Sequence, residues 1–249
     1  MKIGILICGK PTKDFIEELG DYRKIYSDFL SSNNNNFIYN YYLCYDNQLP
    51  DENDILITDC FIITGSSHSV YENIEWIANL KELIRKLDIN KRKLIGICFG
   101  HQLIASALGC KVGKNPKGWE VSRSRIELNE LGKNILKKKS IIHNKNYLYI
   151  QQMHKDIVME INKLSGLEVF CYNDICNNQG MIKENHILTF QGHPEYFKNI
   201  IVKLLNQRRH IIENNIVEDG IKRSHLETDK NILLNLIIKF INYTPCIFT

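Results

Sequence analysis

The chain is 249 residues long with a formal net charge of +4, and 44% of its residues are hydrophobic and 24% charged. That length suits one large α/β domain or two small ones, and the composition can bury a real core, which excludes wholesale disorder. So weak a positive charge is not the footprint of a nucleic-acid binder, and the basic runs 91–93 and 137–139 read as solvated surface.

The predicted elements alternate between strands and helices. Lys2–Cys8 is a short, continuous apolar run suited to a strand buried on both faces. Asp14–Leu30 has helical spacing and ends in the polar tract Asn33–Asn36. Phe37–Tyr45 reads as a second strand and Cys60–Thr64 as a third, closed by Gly65-Ser66-Ser67. A helix over Ile74–Leu87 follows, then a fourth strand, Leu94–Cys98, and a short helix over His101–Leu108. Beyond Gly109 come short β-like pieces near Cys110–Val112, Val121–Leu128, Tyr147–Ile150, Leu167–Tyr172, Gly180–Ile182 and Ile187–Gln191. Helices return at Tyr196–Glu213 and Asn231–Asn242, separated by the charged stretch Glu218–Lys230. This order predicts an α/β fold: a mostly parallel central sheet flanked by helices, with a small antiparallel extension. No internal repeat or linker-like stretch appears, so a single domain over residues 1–249 is expected, with a helical C-terminal tail from about 196.

Eight cysteines are scattered along the chain with no C-x-x-C pair, which argues against a disulfide framework and a structural zinc site. Most are expected to be small buried residues in a reducing compartment. The apolar run Ile3–Cys8 is too short for a secretory leader, and nothing approaches the ~18 apolar residues of a membrane span. A cytoplasmic protein with no membrane partner is expected. The ending Cys246-Ile247-Phe248-Thr249 has the form of a prenylation box, but threonine is not a usual last residue and no basic run precedes it, so no lipid anchor is expected.

The densest chemical signal is Gly96-Ile97-Cys98-Phe99-Gly100, where a strand runs into a helix. It is the thiol counterpart of the G-x-S-x-G nucleophile elbow. The glycines remove Cβ atoms that would clash in a tight turn, and the turn lifts Cys98 above the carboxyl end of the sheet. The positive end of the following helix faces the sulfur and favours the attacking thiolate. A second signal, Gln191-Gly192-His193-Pro194-Glu195, supplies a base. The residue before proline is biased to extended geometry, in which side chains at i and i+2 share a side. Glu195 can then hold one imidazole nitrogen of His193 and leave the other facing the sulfur. A third element, Thr64-Gly65-Ser66, lets the backbone approach a ligand. The N–H groups of Gly65 and Phe99 are candidates for a two-donor oxyanion hole.

These motifs, in this order, resemble the class I (triad-type) glutamine amidotransferase domain with its flavodoxin-like fold. The resemblance covers nearly the whole chain. The segments Phe61–Ser66, Tyr71-Glu72, Trp76-Ile77, Gly118-Trp119-Glu120 and Met153–Asp156 are most similar to the stand-alone branch that includes the γ-glutamyl peptidases. The resemblance implies that Cys98 attacks the γ-carbonyl of glutamine or of a γ-glutamyl compound, that His193 protonates the leaving nitrogen, and that water then hydrolyses the thioester. It implies substrate contacts for Gln102, one turn beyond the nucleophile, and for His154, near Asp156. The oxyanion segment reads Gly65-Ser66-Ser67 rather than the Gly-Gly-Pro of synthetase-type members. Neither a phosphate-binding loop nor a dinucleotide fingerprint is present, so no cofactor and no metal are expected. Three roles stand at this point: a self-sufficient hydrolase of γ-glutamyl amides, a glutaminase subunit supplying ammonia to a synthase partner, and a non-catalytic binding module that keeps the fold.

Overall fold

A computed structural model describes residues 1–32, 35–139, 141 and 145–243. The Cys246 box lies outside the described residues. The chain runs through β1 (Lys2–Ile7), α1 (Lys13–Leu19), α2 (Tyr22–Ser31), β2 (Ile38–Leu43), α3 (Glu52–Ile57), β3 (Cys60–Ile63), α4 (Glu75–Ile89), β4 (Lys93–Ile97) and α5 (Phe99–Ala107). Next come β5 (Lys111–Lys114), β6 (Glu120–Leu128), α6 (Glu130–Lys138), β7 (Tyr147–His154), β8 (Asp156–Glu160), β9 (Glu168–Tyr172), β10 (Gly180–Lys183) and β11 (Ile187–Phe190). Three helices follow: α7 (Lys198–Gln207), α8 (Asn214–Arg223) and α9 (Lys230–Asn242).

The large sheet has the strand order β2-β1-β3-β4-β11-β10-β9-β6-β7. The strands from β2 to β11 pair in parallel, as the alternation of strands and helices predicts, and the remaining pairings are antiparallel. A separate two-stranded antiparallel sheet joins β5 to β8. The helices sort to the two faces by the period-2 alternation of the strands. Ile3, Ile5, Ile62, Ile95 and Phe190 pack on one face with α2 and α9, while Leu6, Phe61, Ile63 and Leu94 pack on the other with α4 and α5.

Several local outcomes depart from the sequence reading, each for a physical reason. The helix expected over Asp14–Leu30 is broken at Gly20, whose φ of 83° ends α1. Asp21 then caps α2 by accepting from the Lys24 N–H at 3.1 Å. The short α3 escapes periodicity analysis, yet a reciprocal capping box between Asp51 and Asp54 starts it. Similarly, α6 begins at Asn129, which accepts from the Gly132 N–H. Part of the charged stretch 218–230, read as a separator, belongs to α8, which buries Val217 and Gly220 and exposes Glu218, Asp219 and Lys222.

The antiparallel half curls back on the parallel half. Gln151 of β7 forms an isolated antiparallel bridge with His193, just past the end of β11. Phe190, the last residue of β11, is fully buried with its ring edge-on to Phe170 at 5.7 Å. Phe190→Ala is expected to cost about 3–5 kcal/mol of stability, as a lost aromatic and the cavity it leaves. Urea denaturation reads this directly, and a loss below about 1 kcal/mol would show that this seam does not hold the two halves together.

Candidate active site

Three neighbouring strands, β3, β4 and β11, deliver the three sequence signals to one edge of the sheet. Register sets their heights, because Ile63 pairs with Gly96 and Phe190 with Ile97. Each strand therefore runs out at the same level, and the next residues of each converge.

Cys98 sits at φ 53° and ψ −101°, between β4 and α5. A non-glycine residue there costs about 1–3 kcal/mol and persists only when its surroundings hold it. They do. The Cys98 N–H donates to the Phe190 carbonyl at 2.8 Å, and the Cys98 carbonyl accepts from the Gln102 N–H at 3.1 Å. A Cβ on Gly96 would lie 2.7 Å from the backbone of Gly100, and one on Gly100 would overlap the Ile63 carbonyl. Both glycines are thus required by close backbone approach.

His193 is buried, and its Nδ1 lies 2.8 Å from Oε1 of Glu195. That contact turns the other ring nitrogen toward Cys98, with whose sulfur the imidazole interacts. The ring is clamped flat against Tyr196, with centroids 3.9 Å apart and planes at 4°. Its backbone N–H donates to the Gln151 carbonyl at 2.7 Å, so the curled β7 also fixes it. Burial pushes the imidazole down, but Glu195 and then Cys98 outweigh burial and lift it from 6.5 to about 9.

Gly65 lies beside this pair. A Cβ on it would meet Cε1 of His193 at 2.9 Å and Cβ of Cys98 at 3.9 Å. The Thr64 hydroxyl accepts from the Cys8 N–H at 3.0 Å and donates to the Gly65 carbonyl at 3.1 Å, which pins that peptide. Phe99, whose ring packs on Trp76 with centroids 5.6 Å apart, opens α5 directly after the nucleophile.

A cleft of about 240 Å³ opens over Cys98 and reaches Gln102, His154 and Asp156. A larger surface cleft between α1 and α7, about 650 Å³, lies apart from the cysteine and histidine just described. Gln102 is buried with its amide nitrogen committed, donating to the Asp156 carbonyl at 2.7 Å and to Oε1 of Gln191 at 3.2 Å. His154 ends β7, with Nε2 3.1 Å from a buried Glu120 oxygen. Its Nδ1 has no partner among the described residues. Asp156 ties down the facing loop by accepting from Ser69 at 2.5 Å and Tyr71 at 3.2 Å.

Sequence reasoning gave Gln191 no role, yet its amide points at the Cys98 sulfur, 3.7 Å away. It also missed the tyrosines around the imidazole and the cationic rim of the cleft, Lys114, Lys155 and Arg208. The seven described cysteines are all free and all buried, so burial does not single out Cys98. Burial pushes Cys60 and Cys176 up to about 12, and raises Cys8 and Cys171 as well. Such thiols are inert.

The class-I glutamine amidotransferase family model matches residues 38–227. The chain belongs to that family. A glutamine amidotransferase-like protein of Schizosaccharomyces pombe is 31% identical over 96% of this chain and 98% of its own length. Gamma-glutamyl peptidase 2 of Arabidopsis thaliana is 30% identical over 90% of each chain. A shorter match, 35% identical over 54% of this chain and 64% of the other, is to a glutamine-hydrolyzing GMP synthase subunit of Methanosphaera stadtmanae. Among solved structures, a glutamine amidotransferase from Thermotoga maritima has the same fold, with a TM-score of 0.71 over 97% of this chain and 98% of that one, at 16% identity. Among the described residues no helix is long and apolar enough to cross a membrane.

The raised imidazole makes a signed prediction. Its folded value, about 9, exceeds the ordinary 6.5, so its contribution to stability is complete below pH 6.5 and is lost as pH rises through 9. Replacing Glu195 by Gln removes the largest favourable cause. In Glu195→Gln the imidazole should titrate at lower pH by NMR, and unfolding midpoints in urea should fall less between these pH values than in the wild type. An unchanged titration would show that the carboxylate does not hold the proton on His193.

Proposed function

We propose that the protein is a cysteine-dependent hydrolase of γ-glutamyl amide bonds, working through a γ-glutamyl thioester on Cys98. The observation that carries this reading is the buried Glu195–His193 contact at 2.8 Å with the imidazole turned to a cysteine in a strained elbow. The sulfur attacks the γ-carbonyl carbon. The oxyanion that develops is met by the N–H groups of Gly65 and Phe99. The imidazolium gives its proton to the leaving nitrogen, the C–N bond breaks, and the amine departs. Water then attacks the thioester, His193 takes its proton, and the C–S bond breaks to release glutamate. Glu195 holds the ring and balances its charge throughout. Gln102 and His154 shape the wall of the glutamyl pocket.

Within this reading the charge of the cleft favours a γ-glutamyl peptide over glutamine. Lys114, Lys155 and Arg208 line it against one carboxylate, Asp156, and none of the three forms an ion pair among the described residues. The glutamyl group itself brings one carboxylate and one ammonium, so unmatched positive charge remains for a carboxylate on the leaving side. The name of the Arabidopsis relative, a gamma-glutamyl peptidase, agrees with this. The second reading, an ammonia-supplying protein that works with a synthase, draws on the likeness to the GMP synthase of Methanosphaera stadtmanae.

Purified protein should release glutamate from γ-glutamyl dipeptides, and Cys98→Ala should lose at least about 10³-fold in kcat while melting like the wild type. Full activity in that variant would sink the mechanism. Glutamine hydrolysis that appears only when cell extract is added would favour the ammonia-supplying reading instead. Arg208→Ala should raise KM for a γ-glutamyl dipeptide about 5- to 50-fold, and leave its C-terminal amide much less affected. Equal losses on both substrates would remove the leaving-side carboxylate from the account.

A further inference from the structure

Helix α2 lies beside Glu195, and none of its residues lines the cleft over Cys98. Tyr26 is buried, and its hydroxyl donates to Oε1 of Glu195 at 3.1 Å. This is the oxygen that also meets Nδ1 of His193. The other oxygen, Oε2, has no partner among the described residues. One turn earlier, Tyr22 interacts with the hydroxyl of Tyr196, the residue whose ring is stacked on the imidazole. Positions i and i+4 share a helix face, so a single face of α2 braces the carboxylate directly and the imidazole through Tyr196.

The surroundings make the Tyr26 hydroxyl count. On this side Glu195 faces the aliphatic core, including Ile62, Ile95, Ile97 and Ile237. A carboxylate there must be paired and hydrogen-bonded to stay ionised. The charged groups at the outer cleft that reaches Glu195 offer no substitute donor. Lys24 is paired with Asp28 at 2.7 Å, Glu18 with Lys203 at 2.5 Å, and Lys230 lies over the ring of Phe29. Burial, and then Glu195, push the Tyr26 phenol well above its ordinary value, so it remains a neutral donor.

We propose that Tyr26 is a positioning residue of the reaction: its hydroxyl keeps Glu195 aimed at His193, and through them holds the imidazole in place to activate the Cys98 sulfur. This rests on the hydrolase reading for its effect on turnover, but its effect on the sulfur does not depend on any substrate. Tyr26 touches neither the substrate nor the reacting atoms.

The test is Tyr26→Phe in the full chain, which keeps the ring and removes the donor. Iodoacetamide alkylation of Cys98 near pH 7, followed by peptide mass spectrometry, should slow about tenfold, while the melting temperature stays within about 2 °C. On a γ-glutamyl dipeptide, kcat should fall about 10- to 100-fold, the worth of a hydrogen bond to a charged acceptor, with KM within about twofold. Unchanged alkylation overturns the proposal, and so does a loss of activity that comes with a lowered melting temperature or a KM raised in step. Should the wild type cleave no γ-glutamyl compound, the hydrolase reading fails by itself, and the alkylation rates still decide the role of Tyr26.

Discussion

The close approach of backbone to backbone at the end of β4 is the constraint on which the rest depends. Gly100 fits only because it has no side chain to meet Ile63, and Gly96 only because it has none to meet Gly100. That contact lets α5 start directly off the strand, and it leaves Cys98 no conformation but the strained one. The parallel pairing of β4 with β11 then supplies the Phe190 carbonyl that holds the Cys98 N–H. Remove the packing, and neither the sulfur nor the start of α5 has a defined place.

Around that elbow the protein concentrates a few buried charges in an otherwise apolar interior, and each is matched locally. Glu195 is matched by His193 and Tyr26. Glu120 sits in a second cluster behind the cleft, where burial pushes its carboxyl up but His154 and Asn173 outweigh burial and hold it below the ordinary value. Gln179 gives it another hydrogen bond, at 2.7 Å. Nearby, burial and then the adjacent His154 push His101 down to about 3, so it stays neutral and bonds Thr189 at 2.9 Å. Hydrogen bonds of this kind between buried groups rigidify the wall of a site, while a single unmatched charge would cost several kcal/mol (roughly 3–5).

Legibility in the sequence followed the range of the interaction. The parallel strands were readable because each is a short apolar run closed by glycine or a polar turn, and the elbow because two glycines flank one cysteine. The break at Gly20 was written in the sequence too, as glycine followed by a capping aspartate, but the helical spacing on either side masked it. The place of His154 was not readable. Its partner Glu120 lies on β6, the antiparallel neighbour of β7, and only the register of that pair brings the two together. The curl that lets Gln151 hold His193 left no local signal either, since it joins the outer edge of one half of the sheet to the end of the other.

The sequence by itself determined the chemistry on offer: one cysteine in an elbow, one His-Pro-Glu turn, one glycine after an apolar strand, and the strand-helix order that sends all of them to the same edge. These are effects of neighbouring residues, through sterics and backbone preference, and they survive without knowledge of the fold. The tertiary structure decided what acts on that chemistry from a distance. It chose Tyr26, 169 residues away in the chain from Glu195, as the second donor to the carboxylate, and it set three cationic side chains around the cleft. Hydrogen bonds and charges reach only a few ångströms, so which groups they join depends on how sheet and helices close on one another, and no stretch of sequence carries that alone.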